Sequence, residues 1–169
     1  MTIKPVVTVP DPILRETSVP VEAFDDTLQV LVDDMFETMY DAPGIGLAAV
    51  QIGLPRRLLV LDVAGEDDQP DPICMVNPVI ERFGDTYRSH EEGCLSLPDV
   101  LVDIDRPASV TVRYLDRHGV ARVREADGLL ATAIQHEIDH LDGKLIIDFL
   151  SPLRRNMIVR RLKKAARTV

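Results

Sequence analysis

Two histidines four residues apart constrain this chain more than any other feature. They lie in residues 135–140 (QHEIDH), near the end of an apolar run that begins at Asp127. Leu, Ala, Ile and Gln favour a helix, and helical residues four apart project from one face. His136 and His140 can therefore offer two nitrogens to one metal ion, and Glu137 can take a proton from a water that the ion activates. The alternative is a buried helix with two hydrogen-bonded core histidines and one exposed acid.

The third ligand of such a site must come from another part of the chain. No Glu or His follows His140, which excludes the thermolysin-like pattern with a downstream Glu. Ile146 stands where the longer protease pattern H-E-x-x-H-x-x-G-x-x-H requires its last His. The remaining candidates are the upstream Cys74, His90, Cys94 and His118, with Asp148 a weaker downstream choice.

Cys94 is the preferred candidate among them. Gly93 precedes it, and Ser96 and Pro98 follow, so we expect an exposed turn in which regular structure stops. Cys74 lies within a strand-like run, where a structural cysteine is more common. His118 falls at the tip of a predicted hairpin. Nucleophilic catalysis by Cys94 with His136 is a competing chemistry, but it leaves the spacing of the two histidines unexplained.

Composition predicts a compact single domain. The 169 residues, 46% of them hydrophobic, are enough for one buried core and few for two. The sequence has no stretch of 18 apolar residues and no leader-like start, so we expect neither membrane spanning nor secretion. Two cysteines make a disulfide framework improbable and suit a reducing compartment, and the expected location is the cytoplasm.

The charge is divided unevenly along the chain. Residues 151–169 contain seven basic residues and no acid, which leaves 12 basic against 28 acidic residues before them. The acidic body should repel nucleic acid, so DNA is not an expected partner, whereas the basic tail need not repel it.

Hydrophobic periodicity predicts an α+β fold. An amphipathic helix begins at Asp25 or Asp26 and runs to Met39, and Ser151-Pro152 starts a basic helix over residues 151–169. Strand-like segments cover residues 57–63, 74–77, 79–83, 109–115 and 120–125, and a turn at Gly84-Asp85 suggests a hairpin between residues 79–83 and 86–88. We expect one domain, residues 1–169, with short antiparallel sheets packed around a central metal-binding helix, plus a C-terminal helix.

A segment of small residues precedes a single amide side chain. Gly44, Gly46 and Ala49 fit the dinucleotide fingerprint G-x-G-x-x-A, but they follow a helix and a proline instead of a strand. We therefore reject nucleotide binding. The small residues let the backbone approach a ligand closely. Gln51 is either a donor to such a ligand or a core amide bonded to backbone.

Three segments together resemble a known family. Residues 44–51 (GIGLAAVQ), 92–96 (EGCLS) and 135–140 (QHEIDH) resemble, in order and approximate spacing, the three signature motifs of bacterial peptide deformylase. The resemblance spans nearly the whole chain. It implies a hydrolase of protein biosynthesis and N-terminal processing that removes the formyl group from the first methionine of new proteins. It also implies that ferrous iron is bound, with zinc, nickel or cobalt as possible replacements in a purified sample.

The resemblance also assigns roles to particular residues. The implied metal ligands are Cys94, His136 and His140, with Glu137 as general base and acid. The side chain of Gln51 and the backbone N–H of Leu95 would steady the formyl oxygen. Gly46 and Ile45 would contact the substrate.

Two departures from the family pattern concern the substrate. Residues 99–103 lack the Arg or Tyr that many members place near Leu101, and His90 stands where an apolar pocket residue is common. Catalysis should survive these changes, and they concern the side-chain preference beyond methionine, which the resemblance does not assign. The basic tail resembles the helix with which related enzymes dock on the ribosome, and the alternative is a solvated helix.

Overall fold

Antiparallel strands form two sheets in the computed structural model of the chain, which describes residues 1–167. In chain order the strands are β1 (Gly46–Ala48), β2 (Leu58–Leu61), β3 (Ile73–Phe83), β4 (Tyr87–Cys94), β5 (Leu97–Pro107), β6 (Ser109–Leu115) and β7 (Ala121–Asp127). The larger sheet has the strand order β1-β2-β3-β6-β7, and β4 and β5 pair with each other in a second sheet. The predicted hairpin near residues 109–125 is confirmed as β6 and β7.

Three helices cover these sheets in the described part of the chain: α1 (Asp26–Asp41), α2 (Gly128–Leu141) and α3 (Pro152–Arg167). Short 3₁₀ helices occupy Pro12–Arg15, Ala49–Ile52 and Ile146–Phe149. The Asp25 side chain starts α1 by accepting a hydrogen bond from the Leu28 N–H at 3.0 Å. The predicted α+β class is confirmed. Over residues 1–167, the helices are all too short or too polar to cross a membrane.

Helices α1 and α2 lie on opposite faces of the larger sheet. Along β2, Leu58 and Val60 pack with α1, whereas Leu59 and Leu61 pack with α2, as the two-residue period of a strand requires. All four side chains of β2 are fully buried. Burial on both faces explains why this antiparallel strand reads as an unbroken apolar run, and it places α2 firmly against the sheet.

The predicted hairpin at Gly84-Asp85 is wrong. Strand β3 pairs with β2 and β6, whereas β4 pairs with β5. The β4–β5 hairpin is inserted between β3 and β6: the Gly84 N–H donates to Ser109 O, and the Ala108 N–H donates to Thr86 O, both at 2.8 Å. Local turn residues marked the end of a strand correctly, but they could not specify its partner.

The expectation that regular structure stops after Cys94 is also wrong. Strand β5 begins at Leu97 and includes Pro98, so only Leu95 and Ser96 separate β4 from β5. Pro98 is exposed, and a two-stranded sheet consists entirely of edge strands, where the missing N–H of a proline is tolerated. Cys94 therefore ends a strand and is half-buried, instead of lying in an open loop.

Gly143, just after α2, offers a test of this packing. Its φ is +74°, and an added Cβ would lie 2.5 Å from the carbonyl oxygen of Arg15. We expect Gly143→Ala to lower the free energy of unfolding by about 2–4 kcal/mol, since it adds a backbone clash to an unfavourable φ. Gly53→Ala is the control, because Gly53 has φ +87° but open space around its Cβ position, and it should cost only about 1 kcal/mol. If urea denaturation showed that Gly143→Ala and Gly53→Ala lower the free energy of unfolding equally, the close packing of Gly143 on Arg15 would be contradicted.

Candidate active site

Cys94, His136 and His140 meet at one point between the smaller sheet and α2. One ligand atom from each of these residues lies within 4.8 Å of the others, and the Cys94 Sγ is 3.3 Å from the His140 Nε2. The α-helical spacing places both imidazoles on one face, and the β4–β5 hairpin brings Cys94 to them. The structure thus joins the two histidines to the upstream residue that the sequence favoured.

The other candidate ligands lie elsewhere. Cys74 packs with the α1 side of the core, and His118 lies in the turn between β6 and β7. Asp148 forms an ion pair with Arg15 at 2.7 Å. His90 lines the same cavity as Cys94 but is not part of the three-residue cluster.

The cluster fits a divalent metal ion. Burial, together with the neighbouring His136, lowers the pKa of His140, which keeps that imidazole in the neutral form that binds metals. Burial also tends to lower the pKa of His136, but hydrogen bonds with Cys94 and Glu92 outweigh it and raise this pKa. The groups around His136 therefore favour positive charge on that ring. A thiolate with two imidazoles is a donor set that suits Fe²⁺, Zn²⁺ and similar ions.

Unpartnered polar atoms also concentrate here. Only three buried side-chain nitrogen or oxygen atoms lack a hydrogen-bond partner within residues 1–167, and two of these, Glu137 Oε2 and His140 Nδ1, belong to this site. Buried polar groups without partners are rare and costly. Their position is typical of a site that is completed by a bound group.

A buried ion-pair network, which the sequence did not reveal, supports His136. The Glu92 Oε1 lies 2.9 Å from the His136 Nδ1, and Arg106 donates two hydrogen bonds to the same carboxylate, at 2.6 and 3.0 Å. Arg106 also donates to Asp139 at 2.9 Å, and its guanidinium lies 4.9 Å from the ring centre of Phe149. Glu92 holds the His136 ring so that its Nε2 points into the site.

The charge of Glu92 is stabilised despite its burial. Desolvation raises the pKa of this carboxyl, but hydrogen bonds from His136 and Arg106 outweigh desolvation and lower the pKa below its usual value. The only sequence signal for this role was the place of Glu92 two residues before Cys94. Arg106 carried no such signal, because its contact with Glu92 depends on how β4, β5 and α2 meet.

Glu137 lies beside the cluster of Cys94, His136 and His140 and against β1. Its Oε1 is 3.8 Å from the His136 Nε2, and a Cβ added to Gly46 would lie 2.8 Å from the same oxygen. Burial raises the pKa of Glu137 to about 7; the nearby Glu92 and Asp139 also raise it, whereas His136 lowers it. The absence of a side chain at Gly46 is thus what lets β1 approach this carboxyl.

Gln51 is bonded to the backbone through one end of its side-chain amide, and the other end faces the cluster. Its Oε1 accepts a hydrogen bond from the Ala48 N–H at 2.9 Å, which anchors the amide to the backbone. Its Nε2 donates to the Ser96 Oγ at 3.0 Å and lies 3.8 Å from the Cys94 Sγ. The amide is therefore fixed with its donor group facing the cluster. Leu95 forms part of the two-residue turn that follows Cys94 and lines the same cavity.

A cavity of about 690 Å³ opens from the cluster. β1 forms one wall and is an edge strand with β2 as its neighbour. The Ile45 carbonyl accepts from the Asp62 N–H on the β2 side at 2.9 Å, so the N–H and C=O of Gly46 point the other way, toward the cavity. The residues lining the rest of it include Ile45, His90, Asp99, Leu101, Leu129, Thr132 and Ala133.

Comparisons with known proteins agree with this geometry. A family model described as polypeptide deformylase matches residues 3–156. The chain is 55% identical to a peptide deformylase of Rhizobium meliloti (strain 1021), over 99% of this chain and 97% of that protein. A crystal structure of a peptide deformylase from Legionella pneumophila is similar with 47% identity and a TM-score of 0.90, covering 99% and 97% of the two chains. One from Ehrlichia chaffeensis, in complex with actinonin, is 41% identical with a TM-score of 0.93, covering 98% of each chain.

The two cysteines should differ in reactivity. Burial raises the pKa of Cys74 to about 12, whereas Cys94 lines the open cavity. Because a thiolate is the reactive form, we expect a thiol reagent to modify one cysteine of the metal-free protein rapidly, and Cys94→Ser to remove this fast phase. Cys74→Ser is the control and should leave it unchanged. Added Zn²⁺ should protect Cys94, and a fast phase unaffected by the metal would contradict the ligand set.

Proposed function

Because this chain belongs to the polypeptide deformylase family, we propose that Cys94, His136 and His140 hold its metal ion. The protein is a metal-dependent hydrolase that removes the N-formyl group from the N-terminal methionine of newly synthesised proteins and releases formate. The observation that carries the ligand assignment is the convergence of the three ligand atoms within 4.8 Å. When bound, the ion supplies Lewis-acid chemistry, which polarises the formyl carbonyl and acidifies water.

The ion that we propose is Fe²⁺. A cysteine thiolate with two imidazoles binds several first-row ions, and the usual affinity order places Zn²⁺ and Ni²⁺ above Fe²⁺. A purified sample can therefore contain Zn²⁺, Ni²⁺ or Co²⁺ in place of iron, depending on the metals to which it has been exposed.

Glu137 moves the proton in this proposal. Its Oε2 is buried and has no hydrogen-bond partner in residues 1–167, so it is free to accept a proton from the attacking water. The same oxygen then returns that proton to the amine of methionine as the bond from the formyl carbon to nitrogen breaks. One carboxyl thus acts first as base and then as acid.

Gln51 and Leu95 stabilise the negative charge that develops on the formyl oxygen. The Gln51 amide is held before any substrate arrives, because its Oε1 accepts from the Ala48 N–H and its Nε2 donates to the Ser96 Oγ, so little reorganisation is needed. With the backbone N–H of Leu95 it would form a pair of fixed donors. In comparable sites one such donor contributes about 3 kcal/mol to transition-state stabilisation.

The substrate's main chain binds along β1. The outward N–H and C=O of Gly46 are open to an extended peptide, which would add to the edge of the larger sheet. Ile45, 43% exposed, would contact the peptide beside it. This orientation brings the formyl end to the cluster, since Gly46 also lies against Glu137.

Glu137→Gln tests the reaction and the assigned base together. We expect formate release from a formyl-Met tripeptide to fall by about 10²–10⁴-fold, with one equivalent of metal retained. Glu91→Gln is the control, because Glu91 is exposed on the same strand as Glu92, and it should keep full activity. Cleavage of unformylated peptides would instead indicate a general metallopeptidase. Full activity in Glu137→Gln would refute the role of this residue.

The basic tail is a second surface with a proposed partner. We propose that residues 1–169 form one catalytic domain and that residues 151–169 bind the ribosome. The enzyme would then act in the cytoplasm, where new chains emerge. DNA is not a proposed partner of the acidic body. Helix α3 packs on the core through Ile158, Val159 and Leu162, and its basic side chains at Arg160, Arg161, Lys163 and Lys164 are exposed. Thr168 and Val169 lie outside the described residues.

Neutralising the tail tests this partner without exposing the core. We expect the triple variant R160Q/R161Q/K164Q to bind ribosomes more weakly in co-sedimentation. The slope of log K against log salt concentration should become shallower by about one unit per lost phosphate contact. Formate release from free peptides should not change. The control is R56Q/R82Q/R113Q, which removes three exposed arginines outside the tail. Equal ribosome binding by wild type and the tail variant would refute docking.

A further inference from the structure

The face of α2 that lines the cavity carries other residues besides His136 and Glu137. Leu129, Thr132, Ala133 and His136 recur at three and four residues and all line the cavity, as one helical face requires. Thr132 precedes His136 by four residues, so it lies about 6 Å along the helix axis from this imidazole. The wall next to the cluster is therefore built by the helix that supplies two of its three residues.

This wall faces the side chain of the substrate's first residue. With the formyl group at the cluster and the main chain along β1, the Cβ of that side chain is three bonds from the formyl carbon. The residues at the cavity mouth, Asp99 and Leu101, are exposed, Leu101 by 62%, whereas Thr132 and Ala133 are buried, with Thr132 only 4% exposed. An apolar first side chain is stabilised by burial and therefore lies along α2.

The hydroxyl of Thr132 is oriented but has an unused hydrogen. Arg88 Nη1 donates to the Thr132 Oγ1 at 2.9 Å, which directs the hydroxyl hydrogen away from Arg88. Thr38, in α1, donates its own hydroxyl to the carbonyl four residues earlier, Asp34 O, at 2.7 Å. Thr132 makes no such bond, and its hydrogen has no acceptor within residues 1–167. A charged donor on its oxygen also makes the hydroxyl a stronger donor.

The facing strand adds to the polarity of this wall. Arg88, His90 and Glu92 alternate along β4 and so share one side of it, where Arg88 contacts Thr132 and Glu92 contacts His136. His90, between them, lines the cavity. A purely apolar side chain would leave the Thr132 donor unsatisfied, and a buried donor without an acceptor costs about 1–3 kcal/mol.

We propose that Thr132 donates a hydrogen bond to the side chain of the first residue, and that peptides beginning with N-formyl-methionine sulfoxide are substrates of this enzyme. The thioether of methionine is a weak acceptor, whereas the sulfoxide oxygen is a strong one on a side chain of nearly the same length. The reaction at the formyl group is unchanged: water adds to the formyl carbon, and formate and the free amine are released. The inference rests on the proposed function of the same cavity.

The test compares four formyl tripeptides that differ only in their first residue: methionine, norleucine and the two separate epimers of methionine sulfoxide. Formate release is measured with metal-loaded wild type, Thr132→Val, Thr132→Ser and Arg88→Met. We expect wild type to hydrolyse at least one sulfoxide epimer. Thr132→Val should lower the ratio of kcat/KM for that epimer to kcat/KM for norleucine by about five- to tenfold. The loss should fall mainly on KM, as for an interaction present in both ground and transition states.

The remaining variants separate a hydrogen bond from a change of shape. Thr132→Ser keeps the hydroxyl and should keep the wild-type ratio, whereas Arg88→Met, which leaves the hydroxyl unoriented, should lower it less than Thr132→Val does. An unchanged ratio in Thr132→Val, or no turnover of either epimer by wild type, would overturn this inference alone if formyl-Met is still hydrolysed. If metal-loaded wild type hydrolyses none of the peptides, the proposed function fails and this inference fails with it.

Discussion

The rest of the site depends on the interactions that the buried carboxylate of Glu92 makes with Arg106 and His136. This carboxylate accepts two hydrogen bonds from Arg106 on β5 and lies 2.9 Å from the imidazole of His136 on α2. The β4–β5 hairpin shares no ladder with the larger sheet in the described part of the chain, so strand pairing does not fix Cys94 relative to α2. The ion-pair network provides this connection. Burying these charges is costly unless each has good partners, and the two-pronged pairing supplies them.

Local patterns predicted the parts of the structure that are decided locally. The helix that carries His136 and His140, helix α1 and the hairpin of β6 and β7 follow from hydrophobic periodicity and capping residues, because these signals depend on residues a few positions apart. The turn at Gly84 misled the prediction, because its residues end a strand without choosing that strand's partner. β3 pairs with β6 across the whole inserted hairpin, and which strand covers which face is decided by the shared core.

The same distinction separates what the sequence revealed about the site from what it did not. The two histidines have a spacing that indicates metal chemistry, and Cys94 and Gln51 stand in short segments that resemble family motifs. Arg106 lies outside these segments, near the end of β5. It contacts Glu92 because the packing of β4, β5 and α2 brings the two side chains together, and only 5% of Arg106 is exposed. An ion pair of this kind has no local signal, so only the packed structure identifies it.

Two of the three cluster residues and the wall of Leu129, Thr132 and Ala133 lie on one helix, α2, and this has a consequence for specificity. The separation of Thr132 from His136 is set by the rise of α2, which is packed against the larger sheet through Ala131, Ile134 and Leu141, none of them exposed. A loop could adjust this distance to different substrates, but a buried helix cannot without disturbing the core. The contribution of this helix to discrimination among first residues must therefore arise from the chemistry of the groups on that face. The hydroxyl at Thr132, oriented by Arg88, is the polar group that α2 places there beyond the metal cluster and Glu137.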